Sequence, residues 1–298
     1  MNTHLVGTIS LLVSNVLLSS YPIIIKKYSD ISVFVQLVIR IITYILLALP
    51  VLVLGGEGID IITNTIQPKY IMISAVNLLH VYSSYKGFEN LNAGISLTTF
   101  YSYPIIQVLL AKIFLGTEIN KEILYNLFGC LVGIGILNKD SYYDNNKDVV
   151  KGFLFIGLAG LTEAIISVFY KKDNLKNPFM SLYTLYAPAF VLMYLVYRLF
   201  SKENKKNEEN WWDMINTNRS TIIKIILFNL AIGGIGYTLR LFALTKISIT
   251  WFSGLAFTSS VSAFLLGWLF LGEKIKIHHI IGTIVIFYNL YGIGKTQN

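Results

Sequence analysis

Long apolar runs recur along the whole chain, and each has about the length that an α-helix needs to cross a bilayer. A membrane helix takes about 20 mainly apolar residues to cross roughly 30 Å of hydrocarbon, and it satisfies its own backbone hydrogen bonds there. Only 13% of the 298 residues are charged, whereas a soluble domain usually carries about 25%. Most of this surface cannot face water, so we predict an all-α integral membrane protein that crosses the bilayer many times.

The boundaries of the apolar runs predict ten transmembrane helices, at residues 5–25, 31–54, 70–90, 93–115, 119–138, 151–170, 178–200, 221–244, 248–271 and 277–294. Most connections are very short, which favours up-and-down helical hairpins. A longer polar connection, Lys139 to Asp148, divides the chain into near-equal halves. We therefore expect a first five-helix repeat at 1–138, a polar linker at 139–150 and a second five-helix repeat at 151–298.

The two halves share short sequence features in the same order. The matched features are Gly7 with Gly152, Lys26-Lys27 with Lys171-Lys172, Lys86 with Arg240, Phe88 with Phe242, and "FLGTE" at 114–118 with "FLGEK" at 270–274. Because a repeat of five helices crosses the bilayer an odd number of times, the second copy enters from the opposite face. The prediction is therefore an inverted repeat, an architecture that many secondary transporters use for alternating access.

Charge and cysteine content narrow the classes of function. The charges that give the net +8 lie mainly between the apolar runs, which indicates loops that face water and lipid headgroups rather than nucleic acid. The single cysteine, Cys130, lies inside an apolar run and cannot form an internal disulfide or a zinc site. No P-loop or dinucleotide fingerprint occurs. We expect no cofactor, no metal, a small-molecule substrate and membrane lipid as partners, and a monomer or homodimer in a plasma, inner or organelle membrane.

Five segments in a fixed order carry a further signal. They are the first helix from Gly7 to Lys26, Arg40 in the second helix, "SYPIIQVLLAKIFLGTE" at 102–118, "GYTLRLFAL" at 236–244 and "FLGEKIKIHHIIGTIVI" at 270–286. Over nearly the whole chain, they resemble the drug/metabolite transporter superfamily in its ten-helix EamA-like form. One departure is a missing proline, which members often carry in the helix that ends near Phe270, so the resemblance does not by itself predict a helix break there.

The resemblance implies a class of function rather than a substrate. Members of the superfamily move amino acids, nucleotide-sugars, phosphorylated metabolites, cofactors and drugs. We therefore expect a secondary active transporter or exchanger of a small polar metabolite, either an amino-acid-like zwitterion or an organic anion, that works by alternating access. The alternatives are proton-coupled efflux of cationic drugs or amines, and a multipass membrane enzyme. An enzyme would need a catalytic cluster at the membrane edge, and no such motif is evident, so no enzymatic activity is expected.

Glu163 is the most informative charged residue inside an apolar run. A charge in hydrocarbon costs at least ~2.5 kcal/mol on insertion scales, and Glu163 lies too near the middle of its helix to reach either surface. Its spacing to Lys171 resembles the glutamate and lysine in the first helix of the small multidrug resistance transporters, where the glutamate binds protons or cationic substrate. This resemblance implies a coupling carboxyl. The alternative is a protonated glutamate that hydrogen-bonds a neighbouring helix.

Arg240 and Lys86 occupy matching positions in the two halves, each near a helix end. As two cationic groups at the mouths of a central cavity, they would meet an anionic part of the solute. A guanidinium suits a carboxylate or phosphate best, through bidentate hydrogen bonds. The alternative is a long side chain that reaches the headgroups. That alternative accounts better for Lys86 and for Lys112.

Aromatic and hydroxyl side chains on the fourth and ninth helices complete the predicted site. They can replace the hydration of a polar solute, although hydroxyls also join helices. For Arg40 a structural role, by pairing with a carbonyl or carboxylate, is favoured over contact with substrate. For His80 a role as a hydrogen-bonded packing residue is favoured over a proton relay. The predicted substrate-binding residues are Arg240, Tyr237, Lys86, Tyr101, Phe100, Thr99, Trp251 and Ser259, with Glu163 as the coupling residue.

Overall fold

The computed structural model describes residues 3–91, 96, 99–137, 139, 149–200, 217–271 and 274–296. These residues form helices and no strand. The α-helices are α1 (Thr3–Leu18), α2 (Tyr21–Lys27), α3 (Val33–Leu54), α4 (Gly58–Thr65), α5 (Pro68–Asn90), α6 (Tyr103–Leu115), α7 (Lys121–Leu137), α8 (Val149–Asp173), α9 (Pro178–Phe200), α10 (Arg219–Phe228), α11 (Ile235–Lys246), α12 (Ile249–Ala256), α13 (Thr258–Leu271) and α14 (Ile277–Lys295). A π-helix, Asn229–Gly234, joins α10 to α11.

Seven helical stretches of the described residues are long and apolar enough to cross a membrane, namely Thr3–Ile25, Val33–Leu54, Val149–Asp173, Pro178–Leu195, Arg219–Lys246, Ile249–Leu266 and Ile277–Lys295. The predicted class, an all-α integral membrane protein, is confirmed. The predicted count of ten spans is not confirmed, because only seven stretches of the described residues meet the length and apolarity of a span. Two of the remaining helices, α6 and α7, are short, and α5 is long but carries several buried polar side chains, so its mean hydropathy is low.

Large apolar side chains cover the outside of the helical bundle. Leu46, Phe128, Leu154 and Ile284 are each more than half exposed. On a soluble protein, such continuous apolar exposure would be an aggregation hazard. In a bilayer it is the surface that lipid tails cover, because the tails are as apolar as these side chains. The exposed leucines and phenylalanines therefore fit a multi-pass membrane protein.

The two halves pack on each other in a reciprocal pattern. The last long helix before the fourth segment of the first half, α5, packs on the first helix of the second half, α8. Reciprocally, the first helix of the first half, α1, packs on α11 of the second half. Gly7 and Gly152, matched in sequence, occupy matched contacts. A Cβ added at Gly7 would approach Lys246 to 2.6 Å, and one at Gly152 would approach Leu91 to 2.5 Å. The two glycines therefore permit equivalent close helix contacts in the two halves, as small residues do in membrane bundles.

Three apolar stretches are interrupted in their helical geometry. The first stretch breaks between α1 and α2, just before Pro22. The stretch that contains α12 and α13 breaks at Phe257, whose N–H donates to the carbonyl of Gly254 over 3.1 Å. This break occurs without the missing proline, so the proline is not needed for it. The third interruption is the π-helix, a geometry that is rare and frequent at functional sites.

Candidate functional site

A cavity lies between the two halves, inside the bundle. It holds about 610 Å³ of space outside the atoms, part of it open to the surroundings. Its charged and titratable lining comes from both halves, with Arg40 on α3 and His80 on α5 from the first, and Glu163 on α8 and Arg240 on α11 from the second. Each of these four residues is at most 6% exposed. A cavity with a few convergent polar groups is the expected form of a small-molecule site.

Glu163 and Arg240 form a buried ion pair in this cavity. Nε of Arg240 donates to Oε1 of Glu163 over 2.8 Å, and Nη2 of Arg240 lies 2.7 Å from the same oxygen. Nη2 also donates to the hydroxyl of Tyr103 over 2.6 Å. The guanidinium carbon lies 4.7 Å from the ring centroid of Phe252. The Arg240 charge is therefore balanced inside the protein, which is what a buried charge requires.

Lys171 fixes the helices that carry this ion pair. It lies on α8 near its end, and its ammonium donates to the carbonyls of Leu244 and Ile247 over 2.8 and 2.7 Å. These carbonyls stand at the C-terminal end of α11, where backbone acceptors lack helical partners and the helix dipole favours a cation. Lys171 thus ties α8 to α11 and holds Glu163 and Arg240 in register.

His80 approaches the other oxygen of the Glu163 carboxyl. Its Nε2 lies 3.3 Å from Oε2 of Glu163, and its Nδ1 lies 3.0 Å from the carbonyl of Ala159. A carbonyl can only accept, so Nδ1 carries a proton. The Thr162 hydroxyl, 3.3 Å from Nδ1, lies 2.8 Å from the carbonyl of Leu158 and directs its proton to helix carbonyls. In the neutral ring, Nε2 therefore faces the Glu163 carboxyl with a lone pair. A hydrogen bond between the two groups needs one proton, either on Nε2 or on the carboxyl.

Arg40 lies in a cage of tyrosine rings. Its guanidinium carbon is between 4.7 and 6.0 Å from the ring centroids of Tyr21, Tyr44, Tyr85, Tyr186 and Tyr237. The Tyr186 hydroxyl accepts from Nε over 3.2 Å and from Nη2 over 3.0 Å. Such cation–π contacts are strongest when the cation is desolvated. Among the described residues, no carboxylate lies within 4.0 Å of the guanidinium nitrogens of Arg40.

The π-helix supports this tyrosine cage. The Tyr21 hydroxyl donates to Oδ1 of Asn229, the first residue of the π-helix, over 2.8 Å. The Tyr44 hydroxyl lies 2.6 Å from that of Tyr21. Because Tyr21 has only one hydroxyl proton and donates it to Asn229, Tyr44 is the donor to Tyr21. Gly233 faces both hydroxyls, where a Cβ would leave them too little room.

The structure brings most of the predicted site residues to the cavity. Its lining includes Glu163, Arg240, Tyr237, Tyr101, Phe100 and Ser259. Three predicted residues are not part of that lining. The Lys86 ammonium pairs with Glu89 over 2.7 Å, the Thr99 carbonyl accepts from the Ser102 hydroxyl, and the Trp251 indole N–H donates to Thr8. For Lys86 the sequence also offered an alternative to substrate binding, a long side chain that reaches away from the bundle core. The observed position of Lys86 agrees with that alternative.

The lining also contains residues that are not among the predicted substrate-binding residues. They include Arg40, His80, Tyr21, Tyr85 and Tyr103. Arg40 has no carboxylate partner among the described residues, and the hydroxyl of Tyr186 takes that place. His80 does form hydrogen bonds within the core, as expected, but it also contacts the carboxyl of Glu163. A central position in an apolar run was the signal for both residues, and it did not distinguish a packing role from a cavity role.

Comparisons with known proteins identify the family. A model of the family described as "EamA-like transporter family" matches the chain twice, at residues 5–139 and 150–294. One solved structure, titled only "Crystal structure of protein", matches with a TM-score of 0.75 over 99% of this chain and 97% of that chain, at 12% identity. At that identity the likeness shows the fold alone. No curated protein matches the sequence. With two family matches that span most of its length, the chain belongs to the EamA-like transporter family, whose members are membrane transporters of small molecules.

Proposed function

We propose that this protein is a secondary active transporter or exchanger of a small polar metabolite that bears an anionic group, an amino-acid-like zwitterion or an organic anion. The observation that carries the proposal is the cavity between the two halves, lined by the buried side chains of Arg40, Glu163 and Arg240. With Glu163 ionised and His80 neutral, these three residues give the cavity one net positive charge. That charge opposes cationic drugs or amines, the alternative substrates, and favours solutes with an anionic group.

The transport cycle that we propose uses two inverted five-helix repeats and ten membrane spans. The reciprocal packing of α5 on α8 and of α1 on α11 supports it, because exchange of two related halves generates pairs of this kind. The two family matches support the same division of the chain. Alternating access then follows from rocking one repeat against the other around the cavity. The helix interruptions beside Pro22 and at Phe257 supply bending points next to it.

A zwitterion would use the Glu163–Arg240 ion pair directly. Its amino group would bind the carboxylate of Glu163, and its acidic group would bind the guanidinium of Arg240. Two intermolecular ion pairs would replace one intramolecular pair, so neither Glu163 nor Arg240 would be left without a partner. An organic anion would instead leave the ion pair intact and bind elsewhere in the lining.

We propose that proton coupling uses Glu163 together with His80. The 3.3 Å contact between Nε2 of His80 and Oε2 of Glu163 supports a shared proton. A proton held there is separated from lipid and sits beside the solute. Loading and release of this proton would change the charge of the cavity by one unit and so alter its attraction for an anionic solute.

Solute counterflow tests the proposed function. Proteoliposomes that contain the purified full chain are preloaded with one unlabelled solute and receive the same solute, labelled, outside. The panel covers amino acids, organic acids, phosphorylated metabolites, nucleotide-sugars and quaternary amines. We expect saturable uptake of at least one zwitterion or organic anion that depends on the internal solute. Counterflow of amines alone would overturn the anionic substrate class, and no counterflow for any solute of the panel would overturn the transporter proposal.

A further inference from the structure

Arg40 differs from the other charged residues of the cavity in its partners. Arg240 and Glu163 balance each other, whereas Arg40 contacts tyrosine hydroxyls and rings. A buried charge without an opposite charge is costly. Cation–π contacts offset part of that cost, but a tyrosine hydroxyl carries no charge. Arg40 is only 5% exposed and lines the cavity, part of which is open to the surroundings. The cavity is the place from which a counter-charge can reach it.

The rings around Arg40 hold the guanidinium in one place. Tyr186 accepts two of its five N–H groups, and Tyr21 is itself fixed by hydrogen bonds to Tyr44 and Asn229. A guanidinium held in this way is preorganised, so a bound anion loses little free energy to ordering it. Tyr21 and Tyr85 line the cavity together with Arg40. The cage thus has the rigidity of a binding site and faces the space where a solute would enter.

We propose that Arg40, held in its tyrosine cage, is the anion-binding residue of the cavity, and that its ligand is the carboxylate or phosphate group of the solute. This inference rests on the proposed function and narrows it. With Glu163 ionised and His80 neutral, the cavity has one net positive charge, so a solute with one net negative charge neutralises it while the Glu163–Arg240 pair stays closed. The substrate class is therefore an organic anion with one net negative charge. A zwitterion, which adds no net charge, would leave the cavity charged.

Binding of matched anionic and neutral probes to the purified full chain tests this assignment. The carboxylate arm compares benzoate with benzamide, and the phosphate arm compares dimethyl phosphate, which carries one negative charge, with neutral trimethyl phosphate. Thermal shift and titration calorimetry in nanodiscs measure the response. We expect stabilisation by at least one anion and none by its neutral counterpart. Stabilisation in either arm supports the proposal and tells a carboxylate from a phosphate. No anion-specific response in either arm would overturn it.

Variants of Arg40 locate the effect. Removing a hydrogen-bonded charged partner typically costs about one to two powers of ten in affinity, so Arg40→Gln is expected to weaken anion binding about 10- to 100-fold. Arg40→Lys keeps the charge but loses the planar fork, and an intermediate affinity is expected. Lys112→Gln is the matched control, because it removes an exposed cation from the apolar helix α6. Equal anion affinity in wild type and Arg40→Gln would overturn the assignment. If Arg40→Gln does not fold, unchanged affinity in Arg40→Lys overturns it.

Transport and binding separate this inference from the proposed function. Anion binding that depends on Arg40, in a protein with no counterflow, would overturn the transporter proposal and leave the anion site intact. Arg40→Gln could instead show the same counterflow of a zwitterion as wild type. That result would leave the transporter proposal intact and overturn the anion site. Counterflow of an organic anion that is lost in Arg40→Gln and kept in Lys112→Gln supports both.

Discussion

Nη2 of Arg240 lies 2.7 Å from Oε1 of Glu163, and both residues belong to the second half of the chain. The corresponding residues of the first half do not form such an ion pair. Leu18 stands 145 residues before Glu163, as Gly7 does before Gly152, and it lines the same cavity without a charge. Lys86, the counterpart of Arg240, pairs with Glu89 instead. The two halves thus share their packing but not their charges. The ion pair therefore does not follow from the packing that the two halves share.

Replacement of Arg240 is predicted to abolish transport. Arg240→Ala leaves the Glu163 carboxylate buried without its partner, a change that typically costs about 3–5 kcal/mol of stability. The expected result is a lower melting temperature in nanodiscs and no counterflow. Arg240→Lys keeps the positive charge and is expected to retain part of the transport. Unchanged counterflow in Arg240→Ala would show that the ion pair has no part in transport.

A double variant separates stability from function in this experiment. Arg240→Ala combined with Glu163→Ala removes both charges, and replacing a whole buried pair is often neutral for stability. The melting temperature of the double variant is expected to lie above that of Arg240→Ala alone, while counterflow stays absent. A double variant that transports normally would contradict the role assigned to both residues.

The fold class was predictable because its signals are local. Apolar runs of membrane-spanning length and short repeated features can be read along the chain, and Gly7 and Gly152 proved to make equivalent contacts. The short helix α4, with Ile61 as its one buried residue, was not predicted, because eight residues with mixed polarity leave a weak pattern. The count of ten spans stays a prediction, since α5 faces the interior with polar side chains that lower its hydropathy.

The site was predictable residue by residue but not as an arrangement. Glu163 and Arg240 each stood out as a charge in an apolar run, yet they lie 77 residues apart and meet only through the packing of α8 on α11. The tyrosine cage of Arg40 draws its rings from five different helices. Such distant contacts depend on how helices cross, which no local pattern of the sequence specifies.

The inverted arrangement of the repeats predicts opposite exposure for two loop residues. Cys130 is the only cysteine, so Cys130→Ser gives a background without thiols. Asp30 follows the first span and Lys176 follows the span formed by α8, and both side chains are exposed. With five spans in each repeat, these two loops lie on opposite faces of the membrane. In oriented vesicles, an impermeant maleimide is expected to label Asp30→Cys from one face and Lys176→Cys from the other. Labelling of both from the same face would indicate parallel repeats.

Replacement of His80 is predicted to alter the response to protons more than solute exchange. The Nε2 atom of His80 contacts the carboxyl of Glu163. The other groups that face the His80 ring are Thr162, the carbonyl of Ala159 and the two arginines of the cavity. His80→Gln keeps a hydrogen-bond donor but cannot take up a proton near neutral pH. Exchange at constant pH is expected to continue, while stimulation by a proton gradient falls. Thr162→Val serves as a control for packing around the ring. Equal gradient stimulation in wild type and His80→Gln would contradict the shared proton.

Glu163→Gln distinguishes a coupling carboxyl from a substrate ligand. The amide keeps the size of the side chain and a hydrogen-bond acceptor for Arg240, but it cannot gain or lose a proton. If Glu163 couples transport to protons, net uptake in proteoliposomes loses its response to an imposed proton gradient while exchange continues, and we expect this result. If Glu163 only binds the amino group of a zwitterion, the affinity of Glu163→Gln for the solute falls at every pH. The remaining uptake then still responds to the proton gradient as in wild type. Unchanged gradient response together with unchanged affinity would show that the carboxyl is structural, and the coupling mechanism would then be wrong.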